Sequence, residues 1–502
     1  MLTLNKINEI AEQQGDQVSI VHYDEQLTWN QLKSQTERRV AYLINRYGGS
    51  MPKQACYICN NRIDLFPWLA AFATLSVPVV GIDYTLPLTT IQEMARKIGV
   101  DIILLSSVQL NLHGEMPVMG ESHEMGSVLF DLDSPSMAML DSIGENQHQL
   151  GCVIPPSDRA FRAIGFTSGT SGLPKAVLRS KSFDQRRFQY FSERYGFNRS
   201  DRFMVSMPMY HAAGNGWARL FMSLGATLYL VDSSDTEMMA LYLDRYNITA
   251  TVFSPVLLAS VINCRQQNQR AKPEALKWVL VGGRNFTEVE KKRALDHLGP
   301  VIYEYYGTTE SGVNAIAEPE DLLRHPQSVG RAYDGNHIVI LSNNGDVLPA
   351  GQTGTVAIAS YMTMDDYVEG GGQFIILNDG LRYFISPDQG YLDDFGRLFL
   401  LNRSGGNRQV AHLYQLENAI RELPCIDDVA MMMVDDSSGD KVQCIYSLKN
   451  KSSNSQRLLE KIKQVANDAS VLLGPCKQIP HIPYTPSGKV RVSDLQKLIA
   501  NS

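Results

Sequence analysis

Helix-period segments and short apolar runs alternate through most of the chain, and this alternation restricts the fold more than any other feature. Thr28 and Gln31 have the spacing of a capping box. Trp29, Leu32, Val40, Leu43 and Ile44 then share one helical face, and Gly48 follows as a stop. A second helix is expected over 89–98, ending at Gly99, followed by the largely apolar run 100–105. The same kinds of segment recur at 236–246 with 250–253, and at 276–281 with 288–298. Apolar strands separated by crossover helices imply parallel sheets and an α/β fold.

The pattern changes near residue 338. Short strand-like runs at 338–341, 355–359, 374–377 and 398–401 are separated by turn clusters such as Asn343-Asn344-Gly345-Asp346, which predicts an antiparallel, barrel-like section. Beyond Arg403 comes a flexible polar tetrad, Ser404-Gly405-Gly406-Asn407. Strand runs at 429–434 and 442–448 and a helix over 455–469 follow it. We place a domain boundary at the tetrad. The expected architecture is a large lobe, 1–402, of two α/β subdomains plus a small distorted β-barrel, with a small mobile α+β domain at 403–502.

At 502 residues the chain can bury a large core without disulfides or metal. Its 46 basic and 53 acidic residues give a net charge of −7, which leaves no footprint for nucleic acid or an anionic membrane. Cys56, Cys59, Cys152, Cys264, Cys425, Cys444 and Cys476 are odd in number and scattered, as suits free thiols in a reducing compartment. Cys56 and Cys59 form a C-x-x-C inside an apolar run, where core packing outweighs a redox or metal role. Residues 1–16 lack a basic-then-apolar leader pattern, and the apolar stretch 65–82 is broken by Thr74, Ser76 and Pro78. The expectation is a cytoplasmic protein without a membrane span.

The segment richest in chemistry runs from an apolar strand into Thr167-Ser168-Gly169-Thr170-Ser171-Gly172-Leu173-Pro174-Lys175. Small residues let backbone approach a ligand, and their N–H groups and hydroxyls can surround an anion beside Lys175. It is not a Walker A loop, because Pro174 precedes Lys175 and Ala176 follows it. A flexible Gly/Ser loop is the plainer reading. A second segment, Tyr303-Glu304-Tyr305-Tyr306-Gly307-Thr308-Thr309-Glu310, sets aromatic rings for a purine, hydroxyls for a phosphate and a carboxylate for Mg²⁺ within a few residues. An ordinary strand-to-helix turn reads the same way. Asp388, in Ser386-Pro387-Asp388-Gln389-Gly390, can accept from two ribose hydroxyls, and Arg403 can add donors; each is otherwise a surface turn residue. Near the C-terminus, Pro486-Ser487-Gly488-Lys489 reads as a stiff turn projecting a lysine.

Taken in this order, the segments resemble the adenylate-forming (AMP-binding) superfamily of acyl-CoA synthetases, nonribosomal peptide synthetase adenylation domains and luciferases. Thr167 to Lys175 is similar to its Thr-Ser-Gly-Thr-Thr-Gly-x-Pro-Lys, Tyr306 to Glu310 to its Tyr-Gly-x-Thr-Glu, and Ser328-Val329-Gly330-Arg331 to its Val-Gly-Arg. Pro486 to Lys489 is similar to its lysine-bearing ending. The resemblance covers nearly the whole chain.

The resemblance implies a ligase that uses ATP and Mg²⁺ to turn a carboxylic acid into an acyl-adenylate with loss of pyrophosphate. The acyl group then passes to a thiol, of CoA or of a phosphopantetheinyl carrier protein. It implies that Thr167, Ser168, Gly169, Thr170, Ser171, Gly172 and Lys175 hold the β- and γ-phosphates. Gly282, Gly283, Arg284 and Tyr306 would flank adenine, with Gly307 and Thr308 beside them. Asp388 and Arg403 would bind ribose. Thr309 would touch the α-phosphate, Glu310 would hold Mg²⁺, and Lys489 would be the catalytic lysine.

Tyr210, His211, Ala212, Gly214 and Trp217 correspond to the acyl pocket of the family, with His211 also a catalytic candidate. No acid follows before Asp232, so no carboxylate is at hand to pair an ammonium. An aliphatic or aromatic acid without an α-amino group is expected, its chain lying in the room left by the small residues beside Trp217. The chain departs from the family after Arg403, where 404–410 is shortened and the usual hinge acid is absent. That departure keeps the carrier-protein acceptor level with CoA. A scaffold without turnover is the reading from a different class, and Lys175, Glu310, Asp388 and Lys489 argue against it. Homodimerisation stays open.

Overall fold

The computed structural model describes residues 2–48, 50–111, 128–134, 159–167, 173–403, 413–436, 439–449, 455–469, 471–486 and 488–500. The chain divides into two compact units. One is Met1–Phe253, Asn263–Val279 and Met364–Gly371; the other is Ser254–Ile262, Leu280–Thr363 and Gly372–Ser502. The boundary expected at the tetrad Ser404–Asn407 lies outside the described residues.

The first unit is α/β. Four parallel strands run in the order Val79–Gly81, Ala55–Ile58, Ile102–Leu105, Val128–Asp131. Every residue of Ala55–Ile58 and of Ile102–Leu105 is buried, as expected for strands covered on both faces. Cys56 and Cys59 are fully buried, and burial pushes both thiols well above their ordinary range, so these are core residues. A second sheet has the order Glu25–Thr28, Val18–His22, Thr227–Leu230, Arg202–Val205, Ala250–Phe253. It is parallel except for its first pair. A three-stranded antiparallel sheet joins Asp366–Tyr367, Ala176–Arg179 and Ala163–Phe166.

Local signals place the helices well. Thr28 and Gln31 form a complete capping box at the start of Trp29–Tyr47, and Thr287 and Glu290 form another at Glu288–Leu298. Losing such a cap typically costs about 1 kcal/mol. Gly99 ends Leu88–Ile98 in the left-handed region that glycine tolerates.

The second unit is largely antiparallel. Ile302–Thr308 pairs with Gly312–Ala317, which pairs with Arg331–Ala332. The expected barrel-like section is a five-stranded sheet of His337–Leu341, Gly354–Ala359, Arg382–Leu392, Phe374–Ile376 and Leu398–Arg403. The C-terminal segment adds the hairpin Ile426–Asp436 and Gly439–Leu448, with Lys477–Gln478 beside it. Its own core includes Leu416, Ile420, Val429, Tyr446, Leu458 and Ile462.

Two of the plainer alternative readings do not hold. Asp388 is not in a surface turn but inside the 11-residue strand Arg382–Leu392. Pro387 is accommodated because the pairing slips on both sides of this strand, between Thr355 and Ala357 and between Gln389 and Gly390. The segment after Thr308 does not lead into a helix. It turns through Thr309–Ser311 into the antiparallel strand Gly312–Ala317.

Candidate active site

In the first unit, the candidate phosphate loop is carried between Ala163–Phe166 and Ala176–Arg179, with Phe166 opposite Ala176. Its two ends are tied reciprocally. Thr167 N–H donates to the Lys175 carbonyl at 2.9 Å, and Lys175 N–H donates to Thr167 Oγ1 at 2.9 Å. Ser168, Gly169, Thr170, Ser171 and Gly172 lie outside the described residues. The Lys175 ammonium stands 4.8 Å from the ring centroid of Tyr367, a cation–π seat that leaves the charge near solvent.

The candidate acyl segment, 207–217, belongs to the same unit. His211 caps the helix Ala212–Ser223, its Nδ1 accepting from Ala213 N–H at 3.2 Å. The small residues here serve packing. A Cβ on Gly214 would lie 2.2 Å from the Pro208 carbonyl oxygen, and one on Gly216 would lie 2.7 Å from an Arg187 Nη. Trp217 is only 1 % exposed. It packs against Phe191 at 4.7 Å and Trp278 at 4.8 Å, with the Arg187 guanidinium 4.7 Å from its centroid. Neither glycine has room for a Cβ, and Trp217 lies in an aromatic cluster of this unit. Tyr210, His211 and Asn215 are half-buried and Ala212 is exposed, so these four carry the segment's accessible surface.

Residues from distant sequence hold this segment in place. Asn61 donates to the carbonyls of Val205 and Met207 at 3.2 Å and of Val231 at 2.9 Å, and its Oδ1 accepts from Met209 N–H at 2.8 Å. The Tyr57 hydroxyl donates to the Met209 carbonyl at 2.6 Å. The available signal was the polar run Asn60-Asn61-Arg62 just past the carboxyl end of a buried parallel strand, where such sheets place functional residues.

In the second unit, the candidate nucleotide residues are brought together by strand pairing. The Tyr306 hydroxyl donates to Asp388 Oδ2 at 2.7 Å, and the two residues are 7 % and 6 % exposed. Asp388 N–H donates to Ser386 Oγ, and Asp388 stands in register opposite Arg403. Gly307 must be glycine, since a Cβ there would lie 2.3 Å from the Gly312 carbonyl oxygen across the hairpin. Thr308 Oγ1 and Ser311 Oγ are 2.9 Å apart, and Asn314 donates to Ser311 Oγ at 2.7 Å. These bonds fix the turn that presents Thr309 and the buried Glu310. At Gly282 a Cβ would lie 2.5 Å from the Tyr305 ring, so Tyr305 is the aromatic packed on that glycine. Gly283 has φ of +89°. The Arg284 side chain is engaged by Tyr484 and Glu290.

The back of this region is braced by a buried ion pair that sequence reading missed. Lys291 Nζ lies 2.7 Å from Glu304 Oε2 and donates to the carbonyls of Pro326 and Ser328. Burial pushes the Glu304 carboxyl above its ordinary range, with Lys291 opposing. The pair fastens the helix Glu288–Leu298 to the strand under Tyr306 and to the Val329-Gly330-Arg331 segment. Gly330 has φ of +91°, and a Cβ there would meet the Ile316 backbone at 2.0 Å.

Lys489 sits in a tight turn. Thr485 N–H donates to the Lys489 carbonyl at 2.7 Å, Lys489 N–H to Thr485 Oγ1 at 3.2 Å, and Gly488 N–H to the Thr485 carbonyl at 2.8 Å. Gly488 has φ of +79°, and a Cβ there would lie 2.2 Å from Ser254 Oγ.

Among the described residues no group of three or more His, Cys, Asp or Glu forms a metal cluster. A single carboxylate such as Glu310 nonetheless suits Mg²⁺, which keeps several waters and shares its ligands with nucleotide phosphates. No helix among the described residues is long and apolar enough to cross a membrane.

The sequence profile of the family described as AMP-binding enzyme matches residues 7–368. The chain is 26 % identical over 352 residues to an indoleacetate–CoA ligase of Aromatoleum aromaticum, covering 67 % of each chain. It is 24 % identical over 480 residues to a 2-succinylbenzoate–CoA ligase of Bacillus licheniformis, covering 92 % of each. The ATP-bound structure of MatB from Rhodopseudomonas palustris shares its fold, with a TM-score of 0.78, 16 % identity and 99 % of both chains covered.

Proposed function

We propose that this chain, which belongs to the AMP-binding enzyme family, activates a carboxylic acid with ATP and passes the acyl group to the thiol of CoA. In the first step a carboxylate oxygen attacks the α-phosphorus, the bond to the β-phosphate oxygen breaks, and pyrophosphate leaves. In the second step a thiol sulfur attacks the acyl carbon, AMP leaves with the bonding electrons of the C–O bond, and the thiol proton goes to solvent.

Two anions must approach in line in the first step, so the protein has to supply donors and cations where charge gathers. Thr167, Lys175 and the loop between them would hold the β- and γ-phosphates. Thr309 would donate to the α-phosphate. Asp388, oriented by Tyr306, would accept from the ribose hydroxyls, with Arg403 as its neighbour. Gly282 and Gly283 would let backbone close on adenine. Glu310 would hold Mg²⁺, which supplies positive charge to the phosphates. Lys489 would bridge the carboxylate and an α-phosphate oxygen as the new bond forms.

The observation that carries this reading is a family match spanning 7–368 in a chain that also retains Lys175, Glu310, Asp388 and Lys489. The names of the two ligases favour an aromatic acid within the aliphatic-or-aromatic class. The lack of an acid between His211 and Asp232 disfavours α-amino acids. Buried free thiols fit a reducing, cytoplasmic setting. A panel of acids in ATP–pyrophosphate exchange tests the reading. An aryl or aliphatic acid should give the highest exchange, and an α-amino acid exceeding them all would overturn it. The shortened 404–410 segment is the one feature that favours a carrier protein as acceptor. Incubation with CoA or with a holo carrier protein, followed by mass detection of the thioester, separates the two acceptors.

A further inference from the structure

We infer that Arg284 is a positioning residue for Lys489, acting through Tyr484. This rests on the role of Lys489 proposed above.

Arg284 leaves the glycine turn with a side chain 14 % exposed. Its Nη1 donates to the Tyr484 hydroxyl at 2.9 Å, and its guanidinium lies 5.4 Å from the centroid of the Tyr484 ring. Its Nη2 is 3.6 Å from Glu290 Oε1. Tyr484 in turn donates to Asp428 Oδ2 at 2.5 Å. Arg421 closes the network. Its Nη2 is 3.0 Å from Asp428 Oδ1 and 2.8 Å from Glu417 Oε1, and its Nη1 is 3.4 Å from Glu290 Oε1. Beside it, Asn285 donates to Asn418 Oδ1 at 2.7 Å.

Two guanidiniums, three carboxylates and a phenol therefore tie the 282–285 turn to elements of the C-terminal segment. A largely buried guanidinium cannot shed its charge, so it must keep these partners or leave them uncompensated. Tyr484 is the residue through which this network reaches the lysine. It pairs with Val490 as an antiparallel bridge, and the doubly bonded Thr485–Lys489 turn is what the bridge encloses. Gly488 in that turn lies against Ser254, whose Oγ would be 2.2 Å from a Cβ there. Moving Tyr484 consequently moves Lys489. Arg284, Tyr484 and Asp428 are 200 and 56 residues apart in sequence, so no local motif announces them.

This role differs measurably from an adenine contact. Loss of an adenine contact raises the KM for ATP, whereas misplacing Lys489 lowers kcat. The experiment measures pyrophosphate exchange and melting temperature for Arg284→Met, Tyr484→Phe, Lys489→Ala and the double variant Arg284→Met/Lys489→Ala. Arg284→Met and Tyr484→Phe should each lose roughly 10- to 100-fold in kcat, the scale for a misplaced catalytic group, with the KM for ATP within about twofold. The double variant should be no slower than Lys489→Ala. A raised KM for ATP at unchanged kcat, or a double variant slower by the full single-variant factor, overturns the inference. If Arg284→Met does not fold, Tyr484→Phe decides alone, and a wild-type kcat there also overturns it. Wild-type exchange in Lys489→Ala would instead refute the role of Lys489 on which the inference rests, while an absence of exchange with any acid in the wild type would refute the proposed function, so the failures are distinct.

Discussion

Tyr306 and Asp388, 82 positions apart, share a hydrogen bond of 2.7 Å in which the phenol donates to a buried carboxylate. With Asp388 as the proposed ribose acceptor, that bond would fix the plane in which its carboxylate meets the hydroxyls. Tyr306→Phe should raise the KM for ATP about tenfold, the scale of one hydrogen bond to a charged group. Asp388→Ala should lower kcat/KM for ATP roughly 100-fold. Unchanged ATP kinetics in both variants of intact melting temperature would remove Asp388 from the nucleotide site.

The Lys291–Glu304 pair makes a prediction about stability and pH. The Glu304 carboxyl titrates above its ordinary value of 4.5 because it is buried. The native state therefore binds this proton more tightly than the unfolded chain. Its contribution is full below the unfolded value and is lost as pH rises through the folded one. Lys291→Met removes the opposing cation and raises the folded value further. The variant should lose about 3–5 kcal/mol at pH 8, and clearly less at pH 5, by urea unfolding. Equal losses at the two pH values would contradict this account.

Gly214 separates a packing role from a place in the acyl pocket. Since a Cβ there meets the Pro208 carbonyl at 2.2 Å, Gly214→Ala should destabilise the protein by about 1–3 kcal/mol. It should not change the ranking of acids in an exchange panel. A reordered panel at unchanged stability would return Gly214 to the pocket.

Cys444 and Cys476 lie one residue before the registered pair Ile445 and Lys477 on neighbouring strands. A hydrogen bond from Cys444, assisted by Lys463, draws the Cys476 thiol below its ordinary value despite partial burial. Alkylation of the native protein should modify Cys476 ahead of Cys56, Cys59 and Cys444. Its rate should reach half-maximum at a lower pH than an ordinary thiol. Peptide mapping that finds Cys56 or Cys59 labelled equally fast would contradict the burial described.

What could be read from sequence follows the range of the interactions. The capping boxes at Thr28 and Thr287 and the glycine stops at Gly48 and Gly99 depend on neighbours within four residues, and they are where local rules put them. The phosphate-type loop, the Tyr306–Glu310 segment and the Lys489 turn could be picked out as candidates because their residues are contiguous. Asp388 was recognisable by resemblance, but its surroundings misled: Pro387 and Gly390 signal a turn, and only slipped pairing keeps them in a strand. Lys291 could not be read at all, Asn61 showed only as part of a polar run after a buried strand, and Arg284 only as an expected neighbour of adenine. The partners of all three lie far along the chain.

The central claim is that Lys489, held in its turn by Thr485 and Gly488, stabilises the charge that develops as the acyl-adenylate forms. Pyrophosphate exchange by Lys489→Ala, with the best acid of the panel and saturating ATP, tests it most directly. The account predicts a loss of roughly 100- to 1000-fold with ATP binding retained. An exchange rate near that of the wild type would contradict it.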